Sequence, residues 1–86
     1  MRIKPGSLVR VRRGDRGETH WMYSQVPSQA TSGAECATDC AWGWGDTGIV
    51  IEARQRWENN PAWVYYLIHT SRGHLGWILS DWAEAA

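Results

Sequence analysis

Phenylalanine is absent from this 86-residue chain, cysteine occurs only twice and proline three times. No stretch approaches the roughly 18 consecutive apolar residues of a membrane-crossing helix, so no membrane partner is expected. The opening residues do not read as a secretory leader, because Lys4, Pro5 and Arg10 interrupt them before an apolar block forms. Net charge is missing as well, with nine Lys and Arg against nine Asp and Glu. Such a balance argues against a generic polyanion binder. There is no glycine-rich phosphate cradle, and the acids are dispersed with no paired-carboxylate or metal-loop spacing. Pairings of Cys36 or Cys40 with His20, His69 or His74, or of Ser80 with Asp81 and His74, have no distinguishing spacing. A non-catalytic chain with no cofactor is expected.

What is present is a globular composition, 43% hydrophobic and 21% charged. The length allows one domain, residues 1–86, which buries about 60–65% of the surface of its unfolded form. The neutral total hides an uneven distribution. Residues 1–16 hold six basic side chains and one acid, and the remainder holds three basic side chains and eight acids. Arg10, Arg12 and Arg13 belong to the basic part, which either mixes into a solvated surface or faces an acidic partner.

Strand periodicity dominates. Val9 and Val11 alternate with Arg10 and Arg12, the period of a half-buried strand. Residues 19–26 have the aromatic content of a strand, whereas residues 28–41 read as loop or a single helical turn. The whole of residues 14–47 is too long for a structureless connection, which predicts a folded excursion, an irregular hairpin. Residues 49–53 predict a short buried strand, and residues 62–69 have the strongest strand signal. Ser71-Arg72-Gly73-His74 predicts a tight hairpin with positive φ at Gly73. Gly76 begins a further strand, where a residue without Cβ lets a bulky neighbour lie over the backbone. Residues 80–82 predict one tight turn before a short tail. The sum is an all-β domain of about five strands.

Gly73-His74-Leu75-Gly76-Trp77-Ile78-Leu79-Ser80-Asp81-Trp82-Ala83-Glu84 resembles the closing signature of Src-homology-3-like barrels. In that signature a glycine turn leads to Gly-aromatic-aliphatic and then to a one-turn 3-10 helix. Trp63-Val64-Tyr65-Tyr66-Leu67 resembles the central strand of bacterial members, Gly48-Ile49-Val50-Ile51-Glu52 the strand before it, and residues 5–13 the first strand. Gly6-Ser7-Leu8-Val9 together with Gly48-Ile49-Val50-Ile51-Glu52 also resembles small barrel proteins of tailed bacteriophages. The resemblance implies a small five-stranded Src-homology-3-like barrel with an enlarged first loop at about 14–47. It implies a protein partner, a larger particle or a second copy, and admits a virion as the location. Nucleic acid bound through the basic first strand is the second reading, and a bacterial cell-wall ligand the third. Leu79 stands where peptide-binding members have proline, Trp82 where they end in Tyr, and Arg10, Arg12 and Arg13 where tyrosines are expected. Polyproline recognition is therefore not implied.

Seven tryptophans are the largest resource of the chain. Each can bury about 150–250 Å², worth up to about 4–6 kcal/mol gross. Trp63, Trp77 and Trp82 fall where a barrel needs core and cap. Trp21, Trp42, Trp44 and Trp57 lie in or beside connections. Either they form a second small core or they stand exposed as partner anchors, and the Trp42-Gly43-Trp44 spacing places two indoles on one face of an extended segment. Cys36 and Cys40 read either as two free thiols or as a possible short-loop disulfide. Zinc would need two further ligands, and no familiar spacing supplies them.

Overall fold

Alternation builds the first strand as expected: β1 (Leu8–Val11) buries Val9 and Val11 and exposes Leu8 and Arg10. The computed structural model describes residues 3–12, 19–27, 33–55 and 64–86. Along the chain follow β2 (Thr19–Tyr23), the single helical turn α1 (Gly33–Cys36), β3 (Ala37–Gly43) and β4 (Thr47–Gln55). After these come β5 (Val64–Thr70), β6 (Leu75–Leu79), a 3-10 turn (Ser80–Trp82) and β7 (Ala83–Ala85). The strands form one antiparallel sheet in the order β3-β2-β6-β5-β4-β1-β7.

The all-β class is as expected, but the strand count is seven rather than five. One addition is β3, most of which falls in residues 28–41, read as loop or a single helical turn. Its residues carry little β-branched character, and pairing with β2 makes them a strand. The other is β7, read as a tail, which pairs with β1 through Arg10 and Glu84. The excursion is indeed an irregular hairpin, since the β2–β3 register shifts between Trp21 and Tyr23. Side chains hold the irregularity: the Thr38 hydroxyl donates to the Met22 carbonyl at 2.9 Å and accepts from the Cys40 N–H at 3.1 Å.

Every strand contributes to one core of Val9, Val11, Met22, Trp42, Val50, Ile68, Ile78 and Ala83. That set includes both edge strands, so the sheet coils until β3 and β7 face the same interior. Among the described residues no backbone ladder joins those two edges. Instead the Trp42 indole Nε1–H donates to the Trp82 carbonyl at 2.9 Å, across the seam. The same carbonyl accepts the Arg12 N–H at 3.2 Å, which ties the end of β1 into the seam. The sheet is thus coiled but open where a barrel was expected, and among the described residues a side chain spans the seam.

The expected turns are in place. Gly73 has φ +85°, and its N–H donates to the Thr70 carbonyl at 2.9 Å. Gly76 lies under Met22: a Cβ there would meet Met22 Cβ and Cε at 3.0 Å. β4 departs from expectation. It is nine residues long and not uniformly buried, because only one face of the coiled sheet meets the core. A register shift between Val50 and Glu52 leaves Ile51 as a bulge, and Ile49 and Ile51 are about half exposed.

Candidate functional site

The β3–β4 connection is a turn built around Asp46. Its Oδ2 accepts the Gly43 N–H at 2.8 Å, and its N–H donates to the Gly43 carbonyl at 2.9 Å. Gly45 supplies the positive φ, +93°, that this path requires. Asp46 is only 4% exposed, and its Oδ1 pairs with Arg72 Nε at 2.9 Å. Burial of a carboxylate is tolerated here because a cation and a backbone N–H both face it. The Asp46 carbonyl accepts the Val11 N–H, which anchors the turn to β1.

That anchoring sets Trp44 beside β1. A pocket of about 320 Å³ lies between them, lined by Arg10, Val11, Trp44, Gly45, Asp46 and Thr47. Arg10 reaches it because it is registered against Thr47 on one side and Glu84 on the other. The Arg10 Nε lies 3.7 Å from Glu84 Oε1 with both side chains partly exposed, a weak pair of about 0–1 kcal/mol. Trp44 is 47% exposed. The pocket therefore offers an indole and a guanidinium, while Asp46 is already engaged by Arg72 and Gly43.

Five of the seven expected anchors lie among the described residues. Trp44 and Arg10 meet at the pocket, and Arg12 is exposed two residues along from Arg10, its Nη1 donating to the Asp81 carbonyl at 3.5 Å. Trp21 is 54% exposed on the outside of β2. Arg13 and Trp57 lie outside the described residues, as does Trp63. Trp42 requires a correction: it is completely buried, and so is no surface anchor. It does not share a face with Trp44, because β3 ends at Gly43 and the turn redirects the chain. Trp77 is buried but lies outside the main core, on the opposite face of β6 from Ile78, with the Arg54 guanidinium 5.0 Å over its ring. Trp82 packs at the margin of the core, stacked on His20 at 4.3 Å.

The possible disulfide is also corrected. Cys36 and Cys40 are both free, Cys36 being fully buried at the end of α1 and Cys40 partly exposed on β3. Cys40 is accordingly expected to react with Ellman's reagent in the folded protein, with Cys36 reacting only on unfolding. Equal native rates would refute that burial. Among the described residues no three His, Cys, Asp or Glu side chains converge so as to hold a metal ion.

Sequence reasoning missed Asp46 as the residue that positions Trp44. The available signal was Gly45-Asp46, a turn dipeptide directly after the tryptophan pair. Comparison with family models, curated proteins and solved structures finds no match.

Proposed function

We propose that this chain is a non-catalytic protein-binding module of the Src-homology-3-like kind, serving as a structural or accessory component of a phage-like particle. The observation that carries the binding role is the meeting of Trp44 and Arg10 at one pocket. Tryptophan and arginine are the side chains that most often dominate protein interfaces, particularly where they flank a recess that excludes water. The pocket suits an apolar side chain set against the Trp44 indole, with a neighbouring carboxylate on the Arg10 guanidinium. Arg12 extends the same cationic face along β1, which favours an acidic partner segment.

The particle assignment rests on the resemblance of Gly6-Ser7-Leu8-Val9 and Gly48-Ile49-Val50-Ile51-Glu52 to small barrel proteins of tailed bacteriophages. Nucleic acid bound through Arg10 and Arg12 of the first strand is the second reading, and an affinity that falls steeply with salt would favour it.

A random peptide library selected on the purified chain tests the binding role. Enriched peptides are expected to place Asp or Glu beside a bulky apolar residue, and to lose at least tenfold in affinity on Trp44→Ala or Arg10→Ala, about 1.4 kcal/mol or more. No enrichment, or affinities indifferent to both changes, defeats the module. Purified particles that lack the chain defeat its assignment to them.

A further inference from the structure

Arg72 is not among the residues that line the Trp44–Arg10 pocket, yet it is bonded to one of them. The β5–β6 hairpin presents it. There the Thr70 N–H donates to the His74 carbonyl at 2.8 Å, the His74 N–H donates to Thr70 Oγ1 at 3.1 Å, and Gly73 takes φ +85°. The Ser71 N–H docks this hairpin beside the pocket by donating to the Thr47 carbonyl at 2.8 Å. Thr47 itself lines the pocket. From this platform Arg72 Nε reaches Asp46 Oδ1 at 2.9 Å. The Arg72 side chain is 60% exposed and that of Asp46 only 4%, so an exposed cation compensates a buried anion.

Among the described residues, Arg10 and Asp46 are the two charged side chains that line the pocket. Left to themselves they are opposite charges on one recess, and the carboxylate would compete with an incoming anion for the guanidinium. Two contacts prevent this. Arg72 holds Oδ1, and the Gly43 N–H holds Oδ2 at 2.8 Å. Both oxygens are therefore engaged by groups outside the lining of the pocket. Arg10 meets Glu84 at 3.7 Å with both side chains partly exposed, a pair that an incoming carboxylate can displace. Without Arg72, Asp46 would be a buried carboxylate with no cation, which is a costly state. Turning toward Arg10 is the relief that the pocket offers it.

We propose that Arg72 determines the specificity of the pocket: by engaging Asp46 from outside, it reserves Arg10 for the carboxylate of a bound segment. This rests on the pocket being the partner site, as proposed above. A carboxylate-bearing peptide is accepted because the Asp46 charge is already compensated, and a peptide with lysine at that place finds no anion to meet. Arg72 touches no bound segment and acts through Asp46, so it is a positioning residue. A purely structural role would be filled by any side chain that keeps the hairpin folded, whereas this role requires a positive charge.

The charge at the pocket can be read with no peptide present, from the nuclear magnetic relaxation of the Trp44 indole N–H. Two soluble nitroxides serve as probes, anionic carboxy-PROXYL and cationic aminomethyl-PROXYL. The ratio of their relaxation enhancements cancels changes in exposure. It is expected to fall about twofold or more in Arg72→Gln and to stay near the parent value in Arg72→Lys. It is expected to recover when Arg72→Gln is combined with Asp46→Asn, whose amide oxygen can still accept the Gly43 N–H. Trp21, exposed on β2, is expected to keep its ratio throughout. A ratio unchanged in Arg72→Gln overturns the inference. So does a fall that persists in the double variant, or that Arg72→Lys shares in full. With an enriched peptide, exchanging its Asp for Asn is expected to weaken binding about tenfold to the parent and less than about threefold to Arg72→Gln. Equal discrimination by both also overturns the role of Arg72. A library that yields no peptide defeats the binding role alone, and the nitroxide ratios still decide the role of Arg72.

Discussion

Trp42→Ala is expected to be the most destabilising single substitution at a described side chain, costing about 3–5 kcal/mol. An 86-residue domain has about 4–13 kcal/mol of stability in total, so the variant stands near unfolding. Two effects combine. The indole is the largest fully buried side chain among the described residues, and its removal leaves a cavity in a small core that has little slack to collapse. The Nε1–H that crosses the seam to the Trp82 carbonyl is lost as well. Trp42→Phe separates these effects in part, since it keeps a six-membered ring while removing the donor and some of the bulk. Its expected cost is smaller, about 0.5–1.5 kcal/mol for the bond plus a packing term. The Trp82 carbonyl retains the Arg12 N–H, which limits that loss. Urea unfolding measures both, with a shifted midpoint and an unchanged slope for a purely native-state effect. A Trp42→Ala variant within 1 kcal/mol of the parent would contradict the burial of the indole.

Gly76→Ala is the second large effect, and here two terms oppose one another. Restricting the unfolded chain would stabilise the protein by about 0.4–1 kcal/mol. The new methyl, however, would meet Met22 Cβ and Cε at 3.0 Å and the Tyr23 carbonyl oxygen at 3.3 Å. Met22 Cε can swing aside, but Met22 Cβ and the Tyr23 carbonyl move only with β2 itself. Overpacking of this kind costs about 1–3 kcal/mol, so the clash outweighs the entropy gain and the variant is destabilised. Gly76→Val is expected to be worse. In a Met22→Ala background the penalty shrinks without vanishing, because the Cε contact is gone while the Cβ contact stays; a double-mutant cycle reads that coupling. Stabilisation by Gly76→Ala would show that β2 and β6 are not packed this closely.

The two substitutions differ in how far the sequence anticipates them. Gly76 was legible: a glycine opening a strand signals close approach, and its neighbour proved to be Met22. Gly73, the Val9 and Val11 alternation and the 3-10 turn at Ser80–Trp82 were legible for the same reason. Each depends on backbone stereochemistry within a few residues. Trp42 was not legible as core. It sits in a small, polar stretch with no β-branched run, and its inward orientation follows from pairing with His20 across an irregular register. Nor did local pattern separate Trp42 from Trp44, because the turn between them rests on the Asp46 carboxylate and its distant partner Arg72.

The candidate sites divide in the same way. Trp44 and Arg10 were each identifiable by residue type, and their meeting at one pocket depends on β1 lying beside the β3–β4 turn. Arg72 and Asp46 lie in separate turns, and no local pattern joins them. The β4–β5 register, which sets Gly48 against Thr70, aligns the two turns. The absence of phenylalanine left the large-ring work to tryptophan and tyrosine, but composition could not say which rings were core. By itself the sequence determined the all-β class, the hairpin turn at residues 71–74 and the alternation of β1, all of which are short-range consequences of side-chain shape. Tertiary structure decided the open seam, the buried indole, the pocket and the Asp46–Arg72 pair, because each joins residues that only the coiling and register of the whole sheet bring together.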